Sequence, residues 1–301
     1  MQSGECIQYA IITDQICEDL ERALQIAKAH HYSHVELHNV FGKSIEECSL
    51  AEVEHIRTLL QTYHLEVSCI ASTVFFLCPL YEGDQVSLFN DSFYAIEGDI
   101  NTHLRYLENA CRIAKRLNCP RVRIFPFRFP DNRKPPFGIQ EDMNAILRAV
   151  RLALRIAKEY DITLVLENCP YSRLPKGMMT IQIIKAFQDP HLRLLWDPAN
   201  SFRAVKENVP KDYLLFSLMD ELRYIYPQIG HIHIKDYHYD PTQQKPFVHK
   251  ELFDGDIPYD QILTYLHNRG YDKVLSLEAE VPFQETISSM DKLKDTLENI
   301  T

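Results

Sequence analysis

Hydrophobic positions in this chain fall into short β-rich runs separated by longer stretches with helical spacing, from one end to the other. That alternation predicts a parallel sheet with helical crossovers. The expected strands lie at about residues 5–11 (ECIQYAI), 34–39 (HVELHN), 66–71 (EVSCIA), 120–125 (PRVRIF), 162–167 (ITLVLE), 192–197 (LRLLWD), 230–235 (GHIHIK) and 273–278 (KVLSLE). Eight of them, alternating with helices, predict an α/β fold of the closed (β/α)8 TIM barrel type. In EDLERALQIAKAH after Asp14, Leu20, Ala23, Leu24, Ile26 and Ala27 recur near helical spacing. The stretches Tyr94–Leu117 and Gln140–Tyr160 read as helix-rich, and Gln284–Asn299 as a closing helix. Nothing resembles a linker, so residues 1–301 are expected to form a single barrel domain.

Strand side chains alternate between faces. If Glu167 points into the barrel mouth, Val165 and Thr163 line the interior while Leu164 and Leu166 pack on helices. The same rule places His231, His233 and Lys235 inside and Ile232 and Ile234 outside, with Trp196 outward against a helix. Glu36 and Arg123 are expected inside, where a buried charge needs a partner, and they can pair with each other. Two irregular segments, FRFPDNRKPPFG and YHYDPTQQKPFVHKELFDGDIP, follow the fourth and seventh strands. On that face of a barrel long loops serve as lids or binding walls. The aromatics of STVFFLCPLY and FPFRFP suit an apolar wall over a substrate, core packing or a subunit contact in a homo-oligomer.

Composition narrows the class. Apolar residues make up 46% and charged residues 25%, ordinary for a globular protein. No apolar run reaches the roughly 18 residues of a membrane span, and MQSGECIQYAIITDQ lacks the basic and apolar regions of a signal peptide. The eight cysteines are scattered without a CxxC pair and read as reduced thiols, which fits a cytoplasmic protein with no membrane association. The net charge of −10 disfavours nucleic acid as a partner. There is no Gly-rich phosphate loop and no GxSxG motif, which leaves a small sugar-like molecule as the expected substrate.

The candidate chemistry lies at the ends of the last four strands: Glu167 in LVLENCP, Asp197 in LLWDPAN, His233 in HIHIKD and Glu278 in LSLEAE. A lone Glu there is ordinarily a buried ion pair or a solvated strand end. Four such residues at successive strand ends point instead to one divalent metal ion. Three carboxylates and an imidazole suit Mn, Mg or Co and accept Zn. Lys235 reads equally as a contact to a substrate oxygen and as an ion-pair partner of Asp236, Glu167 or Glu278.

The sequence resembles the xylose isomerase-like barrel superfamily. This group contains sugar and sugar-phosphate isomerases and epimerases, inosose-processing enzymes, dehydroshikimate dehydratases and endonuclease IV. HVELHN, LVLENCP, WDPAN, HIHIKD, FDGDIPY and LSLEAE carry the likeness, in the family's order and over nearly the whole chain. The resemblance implies metal ligation by Glu167, Asp197, His233 and Glu278, with the two glutamates as the catalytic proton-transfer pair. It makes His231 a core histidine, and it leaves Asn200, Lys235, His249 and Arg123 as substrate-binding candidates. Ketose 3-epimerases have a histidine and an arginine where this chain has Asn200 and Tyr239, so substrate recognition has changed. Endonuclease IV has additional histidines where this chain reads CIAST and RIFPF. His249, with Glu251 nearby, stands where that enzyme has another metal-binding histidine, but Phe247 replaces the usual aspartate. Dehydroshikimate dehydratases have a histidine where this chain has Cys169. The expected activity is a metal-dependent isomerase or epimerase of a sugar, sugar phosphate or polyol ketone. The alternatives are a metal-dependent lyase, a phosphodiesterase and a non-catalytic sugar binder.

Overall fold

A computed structural model describes residues 7–88, 93–204 and 209–300. Its eight barrel strands are β1 (Gln8–Ile12), β2 (His34–Leu37), β3 (Glu66–Ile70), β4 (Arg121–Ile124), β5 (Thr163–Glu167), β6 (Leu192–Trp196), β7 (Ile229–Ile234) and β8 (Val274–Leu277). All neighbours pair in parallel, and β1 closes the ring on β8 with Gln8 opposite Val274. This is the expected (β/α)8 barrel. The expected first strand began at residue 5, and residues 5 and 6 lie outside the described residues.

The helices wrap the barrel: α1 (Leu20–Ala29), α2 (Leu50–Tyr63), α3 (Ile100–Arg116), α4 (Gln140–Glu159), α5 (Gly177–Phe187), α6 (Pro198–Arg203), α7 (Leu218–Ile225), α8 (Tyr259–Asn268) and α9 (Phe283–Ile300). Local chemistry sets their starts. Asp19 caps α1 through the Arg22 amide, and Ser49 with Glu52 forms a capping box at α2. Helix α1 buries Leu20, Ala23, Leu24 and Ala27, one face at helical spacing, while Ile26 stays half-buried.

The main core lies between barrel and helices and contains Val35, Leu164, Leu166, Trp196, Ile232 and Ile234, so the outward-facing residues are as alternation predicted. Cys69, Val165 and Leu195 form a separate small plug inside the barrel. Two register shifts, at Val35/Glu36 on β2 and Leu194/Leu195 on β6, interrupt the simple alternation. At the second, Gly230 faces Arg193 so closely that a Cβ would overlap its side chain. A glycine is required by that approach.

The seven described cysteines are free thiols. Among the described residues no helix is long and apolar enough to cross a membrane.

Candidate metal centre and active site

The motif ENCP ends β5 and WDPAN ends β6, and the two brace each other. Asp197 caps α6, its Oδ1 accepting the Asn200 amide at 2.9 Å, with Pro198 in the first turn, where its missing N–H costs nothing. Asn168 Oδ1 accepts the Asp197 amide at 2.9 Å, and its Nδ2 donates to the Asp197 carbonyl at 2.8 Å. Asn200 Nδ2 reaches back to Glu167 Oε1 and to the Asn168 carbonyl, both at 3.0 Å. Two strand ends are thereby locked in register, and with them the carboxylates they carry.

Glu167, Asp197, His233 and Glu278 each bring one ligand-type atom to a common point, all within 4.8 Å of one another. Arg123 Nη1 lies 3.1 Å from Glu167 and 3.9 Å from Glu278, bridging the two glutamates. Lys235 Nζ lies 2.6 Å from Glu278, 3.2 Å from Asp197 and 3.3 Å from Glu280. Beneath them Glu36, fully buried, binds two imidazoles: His233 Nε2 at 3.1 Å and His231 Nε2 at 2.8 Å. A carboxylate can only accept, so both rings donate from Nε2. That fixes the tautomer of a neutral His233 and aims the lone pair of its Nδ1 at the carboxylates. This buried Nδ1 has no hydrogen-bond partner of its own.

The electrostatics favour a cation here. Burial pushes His233 down, but the carboxylates of Glu36 and Glu278 outweigh it and hold the ring well above its ordinary value. Burial raises Asp197 to about 7 against the pull of Lys235, helped by repulsion from Glu278 and Glu167. Glu167 is also raised, chiefly by burial. Burial pushes Glu278 the same way, but Lys235 and His233 overcome it and hold it well below the carboxylate range. His231, by contrast, is lowered to about 4 because burial beats its bond to Glu36. It is the core histidine the sequence suggested, partnered by Glu36 and by Ser276 at 3.0 Å.

A cavity of about 570 Å³ opens over this cluster. One side is apolar, with Phe76, Leu88, Phe93, Phe125 and Cys169. The other carries Glu167, Glu278, Glu280, Lys235, Arg203 and His249, with Lys245, Phe247 and Tyr237 from the antiparallel hairpin Asp236–Tyr239/Phe247–Lys250. The second long loop is therefore a binding wall, as expected. The first, Phe127–Gly138, contributes none of the described lining residues. It is tied down instead by Arg133 and Arg173, both paired with Asp84. The aromatic runs divide: Phe76 and Phe125 face the cavity, while Phe75 and Phe127 stack in the core at 4.7 Å.

Several expectations need correction. Arg123 and Glu36 do not pair with each other: Arg123 serves the glutamates, and Glu36 serves the histidines. Arg123 also donates to the Ser72 and Ala71 carbonyls, so it lines the cavity with its donors already committed. Asn200 likewise spends its amide on Glu167 and Asn168 and acts as a brace. Lys235 pairs with Asp197, Glu278 and Glu280, not with Asp236. The Asp236 carboxylate instead accepts backbone amides of Tyr237, Phe253, Gly255 and Ile257, and a Cβ on Gly255 would collide with it. His249 lies 3.5 Å from Glu280, and Glu251 pairs with Lys292 at 2.8 Å. Among the described residues, neither belongs to a metal-compatible group.

A family model described as xylose isomerase-like TIM barrel matches residues 24–296. The chain belongs to the xylose isomerase-like TIM barrel family. Solved structures of similar fold include a xylose isomerase-like TIM barrel protein from Mycobacterium smegmatis in complex with magnesium, at 15% identity and a TM-score of 0.70, covering 100% of this chain and 99% of that one. The probable 3-DHS dehydratase AsbF from Bacillus anthracis matches at 15% identity and a TM-score of 0.67, over 96% of this chain and 99% of that one. A D-allulose 3-epimerase from Methylomonas sp. matches at 12% identity and a TM-score of 0.66, over 99% of each. At these identities the likeness establishes the fold. No curated protein sequence matches the chain. In this xylose isomerase-like barrel the four donors sit at the C-terminal ends of adjacent strands, the face on which barrels carry their chemistry.

Proposed function

We propose that this protein is a divalent-metal-dependent isomerase or epimerase acting on a small sugar-like hydroxy-ketone or hydroxy-aldehyde. One observation carries the reading: Glu167, Asp197, His233 and Glu278 converge within 4.8 Å around a buried imidazole nitrogen that has no hydrogen-bond partner. We assign these four as the ligands of one ion, Mn, Mg, Co or Zn. The magnesium bound to the similar Mycobacterium smegmatis protein supports a divalent ion, and the allulose epimerase supports a sugar substrate. A bound dication supplies Lewis acidity that draws charge from the substrate oxygens and so acidifies the neighbouring C–H.

The protein side chains then move the proton. Arg123 and Asn200 hold Glu167, and Lys235 holds Glu278, so each carboxylate is fixed in place before substrate arrives. One takes the proton from carbon. The other returns it, to the opposite face in epimerisation or to the adjacent carbon in isomerisation. Lys235 provides positive charge beside the developing oxyanion. Glu36 acts as a positioning residue by fixing the ring orientation of His233. The phenylalanine wall excludes water from the reacting carbon.

The dehydratase reading gains less support, although AsbF shares the fold. The position where such enzymes have a histidine is Cys169, whose thiol burial pushes far up, so it stays protonated near neutrality and cannot act as a base there. A small substrate agrees with the cavity volume of about 570 Å³. The decisive experiment loads the protein with Mn²⁺ and screens ketoses, inososes and their phosphates in D₂O by NMR. Deuterium at the carbon next to the carbonyl of an accepted substrate is the expected result. A stoichiometric metal complex that exchanges no C–H in any of them would make the centre a binding or structural feature.

A further inference from the structure

Four cationic side chains line the cavity: Arg123, Lys235, Arg203 and Lys245. The first two are committed to the glutamates and Asp197. Arg203 differs. Among the described residues no carboxylate lies within ion-pair distance of it, and its one hydrogen bond to them runs from Nη1 to Tyr237 Oη at 3.1 Å. Its guanidinium is stacked, with the central carbon 4.8 Å from the Tyr171 ring centroid and 5.4 Å from that of Tyr237. Two aromatic faces and one hydroxyl thus hold the fork at a fixed orientation, while Nε and Nη2 donate to no described protein group. Lys245, on the hairpin turn, lines the same cavity and has no carboxylate partner among the described residues. Glu280, the carboxylate whose charge acts on Arg203, is already engaged: Lys235 lies at 3.3 Å, Tyr237 Oη at 3.4 Å and His249 at 3.5 Å.

Half-buried arginines are normally matched by a carboxylate, and a pre-oriented guanidinium left unmatched in a cavity presents bidentate donors to an anion. We propose that Arg203 and Lys245 form an anion subsite, and that the substrate is accordingly a sugar derivative bearing a phosphate or carboxylate group. The assignment rests on the sugar-enzyme reading for the identity of the rest of the molecule, but the anion site itself does not require catalysis. The chain of contacts Lys235, Glu280, Tyr237, Arg203 sets it apart from the metal ligands, so that one end of the substrate is gripped while the other reacts.

The test is calorimetric titration of the full-length protein, metal-loaded and chelator-treated, with inorganic phosphate and, in parallel, with malonate. Saturable binding is expected in both forms of the protein. It should weaken about 10- to 100-fold in Arg203→Met, the range of charge-assisted hydrogen bonds, and by a few-fold in Lys245→Met, an exposed position. Arg203→Lys keeps the charge without the fork and should fall between wild type and Arg203→Met. Lys245→Met decides if the Arg203 variants do not fold. The probe that binds more tightly names the anion. Absence of saturable binding in the chelated wild type, or affinity unchanged in the variants, overturns the subsite. Turnover of neutral ketoses without anion binding would discard it and keep the enzyme. Arg203-dependent binding in a protein that exchanges no C–H would do the reverse.

Discussion

The two sides of the cavity are built on opposite principles. On one side the strand ends of β5 to β8, joined by Arg123 of β4 and Glu36 of β2, pack charged groups so densely that each is held by another: Arg123 by two glutamates, Lys235 by three carboxylates, Glu36 by two histidines. On the opposite side Phe76, Phe93 and Phe125 meet edge-on or tilted at 4.9–5.5 Å, and polar groups touch them from the edges of the cluster, with Arg123 over the Phe125 ring at 4.7 Å and His38 against Phe93 at 4.9 Å. The charged side sets what reaction is possible, because removing one partner strands another in a low-dielectric interior. The apolar side sets shape and dryness, and its contribution is graded by area.

That contrast orders the expected effects. The largest fall on the glutamates: Glu278→Gln and Glu167→Gln keep size and an oxygen ligand but cannot accept a proton, so turnover of an accepted substrate should drop by about 10²- to 10⁴-fold with KM little changed. Near-normal turnover in both variants would erase the distinction between the two sides. Next comes Glu36→Gln, remote from solvent, which removes the carboxylate orienting His233. Metal affinity measured against a fluorescent chelator should fall about 10- to 100-fold. An unchanged affinity would make Glu36 a core residue only.

A smaller effect follows from titration. Asp197 sits near 7 in the metal-free protein because burial raises it, so below that value a proton occupies the group the ion needs. His233, held well above its ordinary value, must give up a proton to the ion as well, so metal affinity should still rise with pH above 7 and should weaken by more than about tenfold per unit as pH falls below 7. Uptake should release more than one proton at pH 6, from Asp197 and His233, and fewer at pH 8, readable in a weakly buffered dye assay. The folding linkage has the opposite sense: a raised carboxylate favours the metal-free fold at low pH and loses that contribution as pH rises through 7. The smallest change is expected on the apolar side, where Phe125→Leu should raise KM roughly fivefold, about 1 kcal/mol, with kcat nearly intact. A collapse of kcat instead would show that the phenyl wall takes part in the chemistry.

The barrel was legible in the sequence because period-two runs and helical spacing are local signals, and Glu167, Asp197, His233 and Glu278 stood out because each ends such a run. Partnerships were not legible. Glu36 and His231 are 195 residues apart, and only ring closure brings them together. The register shifts leave Ser68 of β3 and Gly230 of β7 unpaired and change side-chain parity, and of the two only the glycine leaves a mark in the sequence. Glu280 lay within reach, two residues beyond Glu278 and on the same alternation, but it reads as an ordinary surface acid. Arg203 reads as the end of an unremarked helix, and Lys245 enters the cavity only through the hairpin. Asn200 and Arg123 line the cavity, but nothing in the sequence signals that their donors turn inward to the glutamates.

Helix α6 has a consequence of its own. It begins at the cap residue Asp197 and ends at Arg203, so one short rigid segment joins the proposed ion to the proposed anion site. At 1.5 Å per residue the backbone advances about 9 Å between them. The helix thus works as a ruler: a substrate long enough to touch both ends places its carbonyl at the glutamates, while a shorter or longer homologue is held out of register, whatever its affinity for either end.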